Sequence, residues 1–144
     1  MLGIDTTFLV QAEIEETPGH DLALSYVRKS MAGRPECACL AAQVLAEFIH
    51  VTTDPRRFLR PLSLPRAIER AAFWWNAREV RPVFPDADAT SLFLSWMEKH
   101  RLGRKRILDT LLGATYFTNG VTDLLTADPR DFAIFGCFRI VTPA

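Results

Sequence analysis

The chain has 144 residues, 49% of them hydrophobic, enough to bury a substantial core and to exclude wholesale disorder. Seventeen Lys/Arg balance seventeen Asp/Glu, so the formal net charge is zero. That excludes a histone-like basic binder or an acidic tail and leaves only local charge patches open. No run of about 18 apolar residues occurs, so no transmembrane helix is expected. The start Met1-Leu2-Gly3-Ile4-Asp5 lacks the basic and long apolar regions of a signal peptide. Three cysteines, an odd and low count, read as reduced thiols in a cytoplasm rather than a disulfide framework. A single domain over 1–144 is expected.

No internal repeat or low-complexity segment is present, and short apolar runs alternate with helical ones. Leu2–Ile4 reads as a strand, and a helix starts around Phe8–Gln11. Asp21–Met31 has helical spacing through Leu22, Tyr26 and Val27 and stops near Gly33. Glu36–Leu40 reads as a strand, Ala41–Val51 as an amphipathic helix, and Thr52-Thr53-Asp54-Pro55 as a turn. Leu64–Arg78 reads as a helix with Pro65 in its first turn. Val80–Phe84 is a strand that Pro82 assigns to a sheet edge. Asp86–Leu102 is a helix closed by Gly103, and Ile107–Asn119 an apolar helix closed by Gly120. Val121–Thr126 and Phe138–Val141 are the last strands. Strands alternating with helices predict an α/β fold with a parallel sheet covered on both faces.

The neutral total hides an asymmetry. Asp54–Arg106 carries twelve basic residues against six acidic ones, and the remainder carries five against eleven. A basic rim around an acidic centre suits a polyanion held over cation-binding carboxylates. Signs that interleave on a solvated surface give the same arithmetic.

In open parallel sheets, sites form beyond the carboxyl ends of the strands. Asp5 ends the first strand, and Asp128 lies just past Val121–Thr126. Each has a structural alternative. Asp5 fits a helix N-cap, and Asp128-Pro129-Arg130-Asp131 resembles a capping box with Pro at N1. Asp109 lies in a helix that is apolar almost all round, which predicts burial. A buried carboxylate must be paired, metal-bound or protonated. Gly113, one turn along, opens space beside it on this reading; capping, or pairing with Arg104 or Arg106, is the alternative. Glu47 sits at the edge of the apolar arc of its helix, sharing a polar face with Gln43 and His50. Carboxylates brought together would repel and would not all ionise without a cation. Hard oxygen ligands select Mg²⁺ or Mn²⁺, which promote phosphodiester cleavage.

The ordered set Asp5-Thr6-Thr7, Glu47, Asp109 and Thr126-Ala127-Asp128-Pro129-Arg130-Asp131-Phe132 resembles the PIN-domain nucleases, and among them the VapC toxins of bacterial toxin–antitoxin pairs. Thr53-Asp54-Pro55-Arg56-Arg57-Phe58 with Pro61-Leu62-Ser63 is similar to the middle of many such toxins. The resemblance implies a three-layer α/β/α sandwich with a mostly parallel central sheet and Mg²⁺- or Mn²⁺-dependent RNA cleavage. It implies that Asp5, Glu47, Asp109 and Asp128 are the catalytic, metal-binding acids. Asp131 becomes an auxiliary acid or a cap, Thr7 orients the first acid, and Thr6 matches the usual Thr. Thr110 departs from the Ala that often follows the third acid, a change of packing more than chemistry. The implied partners are an RNA substrate (tRNA or ribosomal RNA), a cognate antitoxin and a second copy of the chain; no membrane is implied.

Arg101, Arg104, Lys105 and Arg106, just before Asp109, are candidates for RNA phosphate contacts, or else line a solvated helix connection. Phe73, Trp74 and Trp75 read as core or interface rather than base-stacking residues, and His20, His50 and His100 lack metal-ligand spacing. Cys37 and Cys39 face one side of a strand and read as small core residues, with Cys137 the third thiol. No phosphate-binding P-loop, dinucleotide fingerprint or nucleophile elbow occurs. Rival readings are a housekeeping nuclease of the same fold, a receiver-like phospho-acceptor module, which lacks a convincing Lys among Lys29, Lys99 and Lys105, and a catalytically dead binding partner.

Overall fold

The computed structural model describes residues 1–143. Five parallel strands form one sheet: β1 (Leu2–Ile4), β2 (Ala38–Ala41), β3 (Val80–Val83), β4 (Asp123–Leu125) and β5 (Arg139–Val141), in the spatial order β3-β2-β1-β4-β5. The predicted parallel sheet is therefore present. The strands are shorter than their apolar runs: Glu36 turns into positive φ before β2, and Val121 and Thr122 precede β4. Pro82 lies on the edge strand β3, where the missing N–H costs no second ladder.

The helices are α1 (Thr6–Glu13), α2 (His20–Tyr26), α3 (Ala42–Thr52), α4 (Leu64–Asn76), α5 (Ala87–Lys99), α6 (Ile107–Thr118) and the single turn α7 (Arg130–Ala133). A π-helical stretch, Val27–Met31, extends α2 to the predicted stop. Ser63 caps α4, accepting the Arg66 N–H, and Pro65 lies in the first turn. Asp86 caps α5 by accepting the Ala89 N–H at 2.8 Å. That helix ends at Lys99, earlier than predicted, because Arg101 adopts the left-handed turn (φ 50°) that Gly103 was expected to supply. Gly120 does close α6, with φ 80°.

All four residues of β2 are buried, although successive side chains point to opposite faces, so both faces of the sheet are covered. Helices α1, α3 and α4 pack together, as do α5 and α6. Glu13 ties α1 to α4: its carboxylate receives two bonds from Arg70, both 2.8 Å, and one from Trp74 Nε1 at 2.8 Å. Tyr116 of α6 lies under β1, fully buried, and its hydroxyl donates to the Ile4 carbonyl. A Cβ at Gly3 would meet the Tyr116 ring at 2.8 Å, so glycine is what lets this aromatic approach the strand. Among the described residues no helix is long and apolar enough to cross a membrane.

Helix α6 corrects one expectation. It is not buried along its whole length: Ile107, Leu108 and Phe117, towards its ends, are exposed, while Thr110 and Leu112 through Tyr116 are buried. Gly113 also has a different reason from the predicted one. A Cβ there would press on Phe135 at 3.1 Å and Trp96 at 3.4 Å, so it makes room for the stacked Trp96–Phe135 pair, not for a carboxylate.

Candidate active site

The chain builds β1, β2 and β3 outward in one direction, then returns to place β4 on the other side of β1. The gap beyond the ends of β1 and β4 is the switch point where open α/β sheets form crevices. Asp5 stands there, 4% exposed. It occupies the N-cap position of α1 but makes no side-chain capping bond; its carbonyl receives the Phe8 N–H at 3.2 Å and the Leu9 N–H at 3.4 Å. The carboxylate is used otherwise. Its Oδ2 accepts from Thr7 Oγ1 at 2.7 Å and from Thr126 Oγ1 at 2.8 Å. Each hydroxyl has one proton, and their lone pairs are taken by the N–H groups of Ala127 (2.9 Å, to Thr7) and Asp128 (3.0 Å, to Thr126). The two hydroxyls also lie within hydrogen-bond distance of each other, 3.0 Å apart. This clasp fixes the Asp5 carboxyl group at the floor of the crevice.

Burial pushes the Asp5 carboxyl above its ordinary range; the Thr7 and Thr126 bonds pull it back, and the charge of Asp131 pushes again. Glu47, half-buried on α3, is raised by burial and then by Asp5, with Thr6 and Arg57 opposing. The Thr6 hydroxyl beside it is buried without a full hydrogen bond. Asp109 is pushed up to about 6, first by burial, then by Asp131 and Asp5; Arg106 opposes, and Glu47 adds to the rise. Asp131 is raised by burial and by Asp128, against Arg106 and Arg130. Asp5 at the end of β1, Glu47 on α3, Asp109 on α6 and Asp131 on α7 thus share one field. Asp128 stands further out: its side chain is 39% exposed, lies 3.5 Å from Arg130, and acts on this set through Asp131. The capping-box alternative does not form, since Pro129 is the N-cap of α7 and no side chain caps it.

Asp109 is a quarter exposed and pairs with Arg106, whose Nε lies 3.3 Å from its Oδ2. Arg106 also donates to the Asp131 carbonyl. Of the basic candidates, Arg101, Arg104 and Lys105 are exposed and free to meet a polyanion, whereas Arg106 is engaged inside the acidic group.

Two polar contacts escaped the sequence reading. Thr126 was visible only as part of a motif, since its role depends on β4 lying beside β1. Gln43 was placed on the Glu47 face, and it donates to the Leu108 carbonyl at 2.9 Å, joining α3 to the start of α6 beside Asp109. Elsewhere, Trp74 is buried and Phe73 exposed, while Trp75 meets Phe84 edge-on. His20 bonds the Gln11 carbonyl, and Cys37, Cys39 and Cys137 are all free thiols. Cys37 falls just outside β2 and is less buried than Cys39, so the two do not form one strand face.

The donor set is one of hard carboxylate oxygens whose proton affinities are raised first by burial and then by one another, with the guanidinium of Arg106 opposing. Such a set fits a divalent cation. Among the described residues no three His, Cys, Asp or Glu side chains already stand close enough to grip one ion.

No family model matches the chain. Ribonuclease VapC24 of Mycobacterium tuberculosis is 30% identical over 150 aligned residues, covering 99% of this chain and 97% of that protein. Among solved structures, Mycobacterium tuberculosis VapC20, described as a sarcin-ricin loop cleaving toxin, superposes with a TM-score of 0.73 at 21% identity, covering 95% of this chain and 96% of that one. FitAcB of Neisseria gonorrhoeae gives 0.66 at 13% identity over 99% and 98%, and VapBC-1 of nontypeable Haemophilus influenzae 0.64 at 12% over 98% and 96%. The structural likenesses establish the fold, a central parallel sheet between helical layers, and the full-length sequence match establishes the kinship. The chain belongs to the VapC family of PIN-domain ribonucleases.

Proposed function

We propose that this protein is a metal-dependent endoribonuclease and the toxin of a toxin–antitoxin pair, acting in the cytoplasm as one nuclease domain over 1–144. The observation that carries the reading is the shared field of Asp5, Glu47, Asp109 and Asp131 at the switch point, with Asp5 held by two hydroxyls. The family relation supports the activity, and a relative's structure solved as a toxin–antitoxin complex from Klebsiella pneumoniae supports the partner. VapC20's description as a sarcin-ricin loop cleaving toxin makes ribosomal RNA a candidate substrate here, beside tRNA. Self-association belongs to the same proposal.

Asp5, Glu47, Asp109 and Asp128 would hold Mg²⁺ or Mn²⁺, with Asp131 as an auxiliary acid. The bound ion would polarise the phosphodiester and lower the pKa of the attacking water. Thr7 and Thr126 hold and aim the Asp5 carboxyl group, and their bonds favour its charged form against the burial that opposes it. Thr6 lies between Asp5 and Glu47 as a further polar contact. Arg101, Arg104 and Lys105 face solvent where they would hold the phosphates of the strand.

Regulated expression in a bacterial host tests the toxin role. Growth arrest, relieved by Asp5→Asn or by co-expression of a cognate antitoxin, is expected. Harmless expression of a protein that nonetheless cuts RNA would favour the housekeeping nuclease.

A further inference from the structure

Arg106 stands where the short turn Arg104–Arg106 enters α6, three residues before Asp109. Its guanidinium faces two acid-bearing elements at once. Nε lies 3.3 Å from Asp109 Oδ2 on α6, and the other end donates to the Asp131 carbonyl on α7. The side chain is 28% exposed. Yet Nε is buried without an aligned hydrogen-bond partner. Beside Asp109 the arginine is therefore held by charge, not by a directed bond, and a stronger cation can take its place. The helix start holds only its backbone: the Arg106 N–H donates to the Gly103 carbonyl at 2.9 Å, and its carbonyl accepts from Thr110 Oγ1 at 2.7 Å.

We propose that Arg106 is a positioning residue that serves as the resident counter-ion of the carboxylate cluster, and that a divalent ion enters against it, displacing the guanidinium from Asp109. The proposal rests on reading the cluster as a cation site. It assigns Arg106 to the acids rather than to the RNA backbone. It also explains how several carboxylates coexist in one crevice before any ion arrives.

The test is titration of MnCl₂ into the full-length protein, following free Mn²⁺ by electron paramagnetic resonance. About pH 7.5 keeps the measurement above the range in which Asp109 binds protons. Arg106→Met removes the charge and keeps much of the length; it should bind Mn²⁺ at least about fivefold more tightly than the parent, because a like charge has left the site. Arg106→Lys keeps the charge and should stay within about twofold of the parent. Melting curves in EDTA establish that each variant is folded, and Arg106→Gln replaces the Met variant should that one not fold. Unchanged or weaker Mn²⁺ binding by a folded, uncharged variant would overturn the proposal, as would no Mn²⁺ binding by any form. RNA cleavage measured in parallel separates the two ideas. Cleavage that depends on metal and Asp109, with Mn²⁺ affinity indifferent to Arg106, removes only the counter-ion. Cleavage that persists in EDTA with no Mn²⁺ bound removes the metal site as well.

Discussion

The hydroxyl of Thr126 donates to Oδ2 of Asp5 at 2.8 Å, joining two residues 121 positions apart in the chain. The bond exists because β4 pairs with β1, Leu125 opposite Ile4, which brings the two strand ends side by side. Thr7 supplies the matching bond from the first turn of α1. One buried carboxylate thus reports the correct assembly of a strand, a helix and a distant strand.

Removing that hydroxyl while keeping the shape tests its role. Thr126→Val should leave Asp5 with one donor, cost about 1–3 kcal/mol of stability as a lost bond to a charged group, and slow RNA cleavage. Thr126→Ser should restore most of both. Thermal denaturation and single-turnover cleavage check it; a Val variant with parental stability and rate would assign the clasp to Thr7 alone.

The elevated Asp109 carboxyl gives a pH dependence with a definite sign. Its ordinary value is 3.8 and in the fold it is about 6, so between these the folded chain binds a proton that the unfolded chain releases. The associated stability is complete below the lower value and is lost as pH rises through the upper one. Metal-free Asp109→Asn should therefore be more stable than the parent near neutral pH, by roughly 1–2 kcal/mol after allowing for partial exposure, with a shallower decline. Some decline should remain, because Asp5, Glu47 and Asp131 are raised as well. Chemical denaturation at several pH values in EDTA measures this. Parallel curves for the two proteins would remove Asp109 from the strained set.

Gly3→Ala tests the support beneath the site. The added methyl meets the Tyr116 ring at 2.8 Å and Val121 at 3.0 Å, so β1 or α6 must move. A loss of about 1–3 kcal/mol is expected, as for overpacking in a dense core. Because Asp5 lies two residues along, cleavage should fall too. A neutral Gly3→Ala in the melting experiment would mean that Tyr116 yields freely.

The sequence made the helices and the parallel sheet legible because each carries its own period and stop signals, as in Leu64–Asn76 with Ser63 and Pro65. Asp5 and Asp109 stood out as candidates by position, at a strand end and in an apolar helix, although a helix cap or an ion pair offered each a structural use, and Asp109 does pair with Arg106. Strand order was not legible, and with it went the Asp5–Thr126 bond. The exposure of Leu108 and Phe117 was hidden too, because an apolar side chain carries the same signal whether a neighbour covers it or not. Gly113 misled for the same reason: the Trp96–Phe135 pair that needs its space comes from two other segments.

The exposed basic residues predict salt behaviour. Arg104→Ala with Lys105→Ala should weaken RNA binding and reduce the slope of log affinity against log salt by about 0.7 for each phosphate no longer neutralised. Fluorescence anisotropy with a labelled single-stranded RNA and the Asp109→Asn protein reads this without cleavage. An unaltered slope would place the RNA on another face.

The most direct test of the nuclease reading is cleavage of cellular RNA by the purified protein, freed of any copurified partner, with Mg²⁺ or Mn²⁺ and with EDTA, for the parent and Asp109→Asn. Defined cuts that require both the metal and the Asp109 carboxylate are predicted, with Asp109→Asn retaining the parental fold by circular dichroism. Equal cleavage by the folded Asp109→Asn protein, or cleavage undiminished in EDTA, would contradict the account.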